Sequence, residues 1–179
     1  MALSAVQKVF YDWVHGQVAY PVIWVNPNAP RPNLPYISLH ILSMVKMGGD
    51  YISKPNALGV RKIFSDYYIN LNISCYFTGD GSNINAFDVL SDLRQSLRTE
   101  AVIGLLNTNN ISLIKELSSI LFIPTIIATG FEQRASIDIQ FGIAVSIDET
   151  VYTIEKVDGR GKINANGEEL DIDYKSEVI

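Results

Sequence analysis

The sequence holds one cysteine, Cys75, and two histidines, His15 and His40, among 179 residues. A single thiol excludes an intramolecular disulfide and a cysteine-based zinc site. No apolar run reaches the ~18 residues that a membrane span requires. The opening stretch MALSAVQKVFYDWV has neither a basic region nor a long apolar core, so it does not read as a signal peptide. The triplets Asn72-Ile-Ser74 and Asn110-Ile-Ser112 therefore carry no weight as glycosylation sites, and synthesis in the cytosol, away from any membrane, is the expectation. HExxH, GxSxG and the phosphate-binding P-loop are missing as well. The Gly79-Asp-Gly-Ser-Asn83 stretch fits turn chemistry, because it matches neither GxGxxG nor GxxxxGK[ST]. The acids at Glu168, Glu169, Asp171 and Asp173 lack the glycine and terminal glutamate of a calcium loop. No catalytic residue, metal ligand or cofactor site is expected, and the chain does not read as an enzyme.

Basic residues are also scarce: 14 Lys and Arg stand against 19 Asp and Glu, giving a net charge of −5. The imbalance is local. Residues 1–147 hold ten acids and ten bases, whereas 148–179 hold nine acids against Lys156, Arg160, Lys162 and Lys175. A neutral body without a basic patch excludes nucleic-acid binding by charge. The acidic end reads as a solvated extension or as an arm for a basic partner.

What is present is hydrophobic patterning, with 47% hydrophobic and 18% charged residues. Leu3, Val6, Val9, Phe10, Trp13 and Val14 form one helical stripe, with Gly16 as its expected stop. Tyr36–Met47 reads as a strand, and 48–59 as a turn-rich loop. Over 61–78, apolar Ile69, Leu71, Ile73, Cys75 and Phe77 alternate with polar or aromatic Tyr68, Asn70, Asn72, Ser74 and Tyr76. That period of two predicts a long strand with Cys75 buried. A second helix follows, capped by Ser82 or Asn83, with Ile84, Phe87, Leu90, Leu93, Leu97 and Ala101 facing inward. The stretch 104–130 is expected to hold a strand near 111–115 and one helical winding. Alternation returns over 135–147, then a turn at 148–150 and a strand over 151–157, with Asn166-Gly167 as a possible hairpin turn.

The expected fold is α+β: two layers, a twisted, mainly antiparallel sheet with two helices packed on one face. Residues 1–157 make a single domain, and 158–179 an acidic C-terminal extension. The second face of the sheet, with Phe64, Tyr68, Asn70, Asn72 and Tyr76, suits a partly wet protein interface.

Within this pattern, Trp24-Val-Asn-Pro-Asn-Ala-Pro-Arg-Pro-Asn-Leu-Pro-Tyr36 stands out. Four prolines in thirteen residues exclude helix and central strand. The segment fits a rigid connector with Trp24 anchored in the core, a PxxP ligand, or a preorganised contact surface with Arg31 reaching a neighbour.

The stretch VIWVNPNAPRPNLPYISLHI resembles the proline-rich signature of neck and tail-terminator proteins of long-tailed bacteriophages, and FEQRASIDIQFGIAV (131–145) resembles their later strand. The likeness spans roughly residues 5–157. It implies a structural virion protein of the neck and tail, assembled in the host cytoplasm. Such a protein forms a ring, a hexamer, that caps the completed tail tube and meets the head-tail connector or head-completion protein. A sheath protein is a further possible partner, and DNA passes through the lumen unread. The interface residues so implied are Trp24, Asn26, Arg31, Pro32, Tyr36, Tyr68 and Arg134, the last as an ion-pair partner of Glu132 or of a neighbour's acid. The competing reading is a small protein-interaction module that uses the proline segment or the exposed sheet face.

Overall fold

The computed structural model describes residues 3–25, 28, 30–79, 85–127, 130–151, 156–165 and 168–177. It is a mixed α+β fold with, among the described residues, three helices and a mostly antiparallel open sheet. Helix α1 (Leu3–Gln17) is followed by β1 (Val22–Trp24), β2 (Tyr36–Ile52) and β3 (Val60–Thr78). Helices α2 (Ala86–Ser96) and α3 (Glu100–Thr108) come next, then β4 (Ile111–Glu116), β5 (Leu121–Phe122), β6 (Thr125–Ile127) and β7 (Gly130–Thr150). Two last strands, β8 (Lys156–Ala165) and β9 (Glu168–Glu177), complete the order.

The main sheet runs β1-β2-β3-β7-β4. β1 lies parallel to β2, with Trp24 opposite Leu39, while β4, β5 and β6 all lie antiparallel to β7. The chain divides into two units, taken separately here: Met1–Tyr51 with Phe64–Ser146, and Ile52–Ile63 with Ile147–Ile179.

In the first unit the predicted alternation becomes a core. Ile69, Leu71, Ile73, Cys75 and Phe77 of β3 share one cluster with Ala135, Ile137, Ile139, Phe141 and Ile143 of β7. Val6, Phe10, Trp13 and Val14 of α1 close on it, with the Phe10 and Phe141 rings 4.8 Å apart. Trp13 is fully buried, and its indole Nε1 donates to Ser96 Oγ at 3.0 Å, which answers the one polar group the ring carries. Burial pushes the Cys75 thiol up to about 12, as expected where the thiolate would lose its water.

Several expectations are corrected. Gly16 does not end α1, which continues to Gln17; one glycine in the last turn costs little where no side chain is required. The single second helix is two. Asn85 caps α2, its side chain accepting from Asp88 N; Ser82, Asn83 and Ile84 lie outside the described residues. The chain turns at Leu97–Thr99 and restarts as α3, which leaves Ala101 exposed; Phe87, also expected inward, is exposed in the first turn of α2. The two-helix count therefore becomes three, because a moment summed across 84–101 cannot register a break that keeps the next turn apolar. The helical winding expected before Gly130 is instead β5 and β6. β7 runs through Thr150 without the expected turn at 148–150; of the strand expected over 151–157, Val151 is not in a strand, 152–155 lie outside the described residues, and Lys156 and Val157 open β8.

In the second unit, Asn56 Oδ1 accepts from Leu58 N and Val60 N, building the turn that ends in Gly59. Gly59 has φ +72° and its carbonyl takes Val151 N at 2.8 Å; a Cβ there would stand 2.9 Å from Val151 O. Arg61 Nε reaches Glu149 at 2.7 Å. Within the acidic end, β8 and β9 pair as an antiparallel two-stranded sheet with Ala165 opposite Glu168. Asn166 and Gly167 themselves lie outside the described residues.

Candidate functional site

The later part of the proline segment, from Arg31 to Tyr36, is held by contacts within its own chain. Tyr36, the first residue of β2, is buried and stacks on Tyr76 of β3, ring centroids 4.7 Å apart and planes 12° from parallel. Arg31 lies over both rings, its guanidinium carbon 5.6 Å from each centroid. Its Nε donates to the Tyr36 hydroxyl at 3.1 Å, and its Nη2 makes an ion pair with Glu132 near the start of β7. Glu132 is only 4% exposed, so this carboxylate has left water and needs a cation. Arg134, two residues on, covers Tyr76 from the β7 side at 5.2 Å. Tyr36, Tyr76 and Arg134 thus form a row across β2, β3 and β7, capped by Arg31.

The electrostatics follow from the packing. The hydrogen bond to Glu132 is the largest influence on Arg31 and raises its pKa further above the ordinary value. Burial raises the Tyr36 phenol above its usual value, although Arg31 pulls the other way. Cation–π contacts of this kind contribute about 0.5–2 kcal/mol each, depending on how dry the site is. Two buried atoms here have no hydrogen-bond partner, Gln133 Oε1 and Arg134 Nε.

Of the residues singled out in the sequence, the structure brings Arg31, Tyr36 and Arg134 together. Trp24 packs half-buried against the core beside Leu39, and Pro32 is half-buried within the segment. Asn26 lies outside the described residues. Tyr68 stands apart: eight positions from Tyr76 on the same strand is ~26 Å at the usual rise. It lines a shallow 210 Å³ cleft with Met47, Ser112, Ile114 and Gly142. The expected intrachain pairing of Glu132 with Arg134 is not what forms; Glu132 pairs with Arg31. Tyr76, the centre of the row, was legible only as one aromatic on the second face.

Between these two places the second face carries a polar ladder. Asn70 Nδ2 donates to Ser43 Oγ at 2.9 Å, and its Oδ1 accepts from Gln140 Nε2 at 3.0 Å. Asn72 Nδ2 donates to Asp138 Oδ1 at 2.6 Å and its Oδ1 accepts from Ser74 Oγ at 2.9 Å. These amides tie β2, β3 and β7 side by side. Among the described residues no group of three or more potential metal ligands occurs, and no helix is long and apolar enough to cross a membrane. His40 is exposed on β2, and His15 stacks on Tyr11 at 5.3 Å.

Stacked tyrosines, a shared arginine and a buried carboxylate fasten residues distant in sequence to one another. Residues 4–168 match the family described as phage neck terminator protein, and the chain belongs to that family. It is accordingly a structural phage protein of the virion neck, a place where it meets other tail and head-tail proteins. No curated protein matches the chain.

Proposed function

We propose that the chain forms a closed ring, a hexamer, that caps the finished tail tube and joins it to the head-tail connector or head-completion protein, with DNA passing through the lumen unread. Assembly takes place in the host cytoplasm, and a sheath protein is a further contact where the tail has one. The same reading gives the fold the two-layer, tail-terminator-like arrangement, with the helices on one side of the sheet.

The observation that carries this is the clamp on the proline segment. A PxxP ligand for an adaptor must be free to enter a groove, whereas Arg31 and Tyr36 are already engaged with Tyr76 and Glu132. A segment fixed in this way offers a rigid contact surface whose ordering cost was met on folding. The body from 1 to 147 is neutral, which suits a channel that must not grip phosphate.

The test is the solution mass of the full chain by light scattering, at several concentrations, alone and with tail-tube protein. A closed oligomer of six chains, free or on the tube, is the expected result. A chain that stays monomeric and ignores the tube contradicts the reading.

A further inference from the structure

Pairing rearranges the charges of the acidic end. Among the described residues, β8 and β9 form a sheet of their own. Taken alternately, four facing positions in a row join opposite charges: Lys156 with Glu177, Asp158 with Lys175, Arg160 with Asp173 and Lys162 with Asp171. The positions between them hold no such match; Val157 faces Ser176, Gly159 faces Tyr174 and Gly161 faces Ile172. Of the ten charged residues in the two strands, eight are therefore matched, and Glu168 and Glu169 remain. Arg160 and Lys162 are exposed, and each has an interaction partner.

This register is singled out by its charges. Opposite charges at facing positions stabilise an antiparallel pair, and like charges there destabilise it. A slip of one residue would set every charged position of β8 against an uncharged one, such as Lys156 against Ser176. A slip of two residues keeps charge opposite charge but turns attraction into repulsion. In one direction Lys156 would face Lys175 and Asp158 would face Asp173; in the other, Asp158 would face Glu177 and Arg160 would face Lys175.

We infer that this ladder of charges locks the register of β8 and β9 and makes their pairing a salt-sensitive device, closed at low ionic strength and open at high. A two-stranded sheet is marginal in water, so small terms decide whether it is paired. Exposed ion pairs are individually weak, but each wrong register gives up all four matches or adds repulsions, so the gap between registers exceeds the worth of one pair. Facing positions stand ~5 Å apart. That is less than the screening length of ~10 Å in 0.1 M salt and more than the ~3 Å in 1 M salt. Salt in this range therefore reaches the ladder itself. The lock lies within one chain and needs no second copy.

Hydrogen–deuterium exchange of the full chain, read by mass spectrometry on peptides from β8 and β9, tests this at about 0.05 M and about 1 M NaCl. Peptides from β3 and β7 serve as the reference within the same molecules. The expected result is protection of β8 and β9 at low salt that falls by about tenfold at high salt, with β3 and β7 unchanged. Strands β8 and β9 that are unprotected at low salt, or whose protection ignores salt, overturn the inference.

Charge reversal separates the lock from a general effect of salt. Arg160→Asp with Lys162→Asp sets like charges at two facing positions, against Asp173 and Asp171, and should abolish the low-salt protection of β8 and β9. Both positions are exposed, and protection of β3 and β7 shows that the rest of the chain is folded in the variant. Adding Asp171→Lys and Asp173→Arg exchanges the charges across the strands and should restore both the protection and its loss in salt. A double variant protected like wild type, or a fourfold variant as open as the double one, would show that charge does not hold the register.

Discussion

Arg31 and Glu132 lie 101 positions apart in the chain and form an ion pair across the sheet, the carboxylate buried and the guanidinium side chain 46% exposed. The asymmetry decides what each end is worth. Losing the arginine leaves a buried anion without its partner, whereas losing the glutamate leaves a cation that can still reach water.

Arg31→Ala should therefore destabilise the fold by about 1–3 kcal/mol, the usual cost of stranding a buried polar group. Arg31→Lys should recover part of this, since it keeps the charge but loses the planar fork that reaches Tyr36 and Glu132 together. Urea denaturation of the three proteins at neutral pH checks the order, wild type above Lys above Ala. An Ala variant equal to wild type would remove the clamp from the account.

Tyr36 gives the clamp a pH dependence. Its phenol is raised above 10.0 chiefly by burial, and a raised pKa means that the folded state holds the proton more tightly. The stabilisation is fully present below the unfolded value of 10.0 and is lost as pH rises through the higher folded value. The urea midpoint should thus fall as pH rises through and beyond 10.0, with a smaller fall in Tyr36→Phe. At pH 7, Tyr36→Phe should cost about 0.5–1.5 kcal/mol for the lost acceptor of Arg31 Nε.

Two glycines make a matched pair of opposite sign. A Cβ at Gly79 would stand 2.5–2.8 Å from Phe131 atoms, including its backbone oxygen, so Gly79→Ala should cost about 1–3 kcal/mol. Gly104 sits exposed within α3 with nothing within 4 Å of an added Cβ. Gly104→Ala should therefore stabilise by about 0.5–1 kcal/mol through helix propensity. Thermal melts of both variants check the signs.

Cys75 should be silent in the native protein. Its thiol is buried and held near 12, so a disulfide reagent at pH 8 should label no thiol until denaturant is added, and one thereafter.

How much of this was legible beforehand follows from what sets each feature. Strands β3 and β7 were readable because every second residue, from Ile69 to Phe77 and from Ala135 to Ile143, must enter one core. Strand ends were not. Gly48–Ile52 extends β2 into what reads as a turn-rich loop, and Asp148–Thr150 extends β7 through what reads as a turn, since paired backbone leaves no mark in glycine or charged residues. The break between α2 and α3 was hidden because Leu97, Val102 and Leu106 keep the apolar character running through the turn. Arg31 and Tyr36 stood out through their proline setting. That Tyr76 and Glu132 are their partners did not show, since no local pattern links residues brought together by strand order. The exposed apolar residues of β5 and β6 were visible as an apolar run at 117–131, but a run reads as core until the sheet order shows that it lies outermost.

The central claim is that this protein closes the end of a tail tube, and electron microscopy of assembled tubes mixed with the full chain tests it most directly. The account predicts a single ring-shaped density on one end of each tube and none along the shaft. Bare tube ends, or protein scattered along the tube wall, would contradict it.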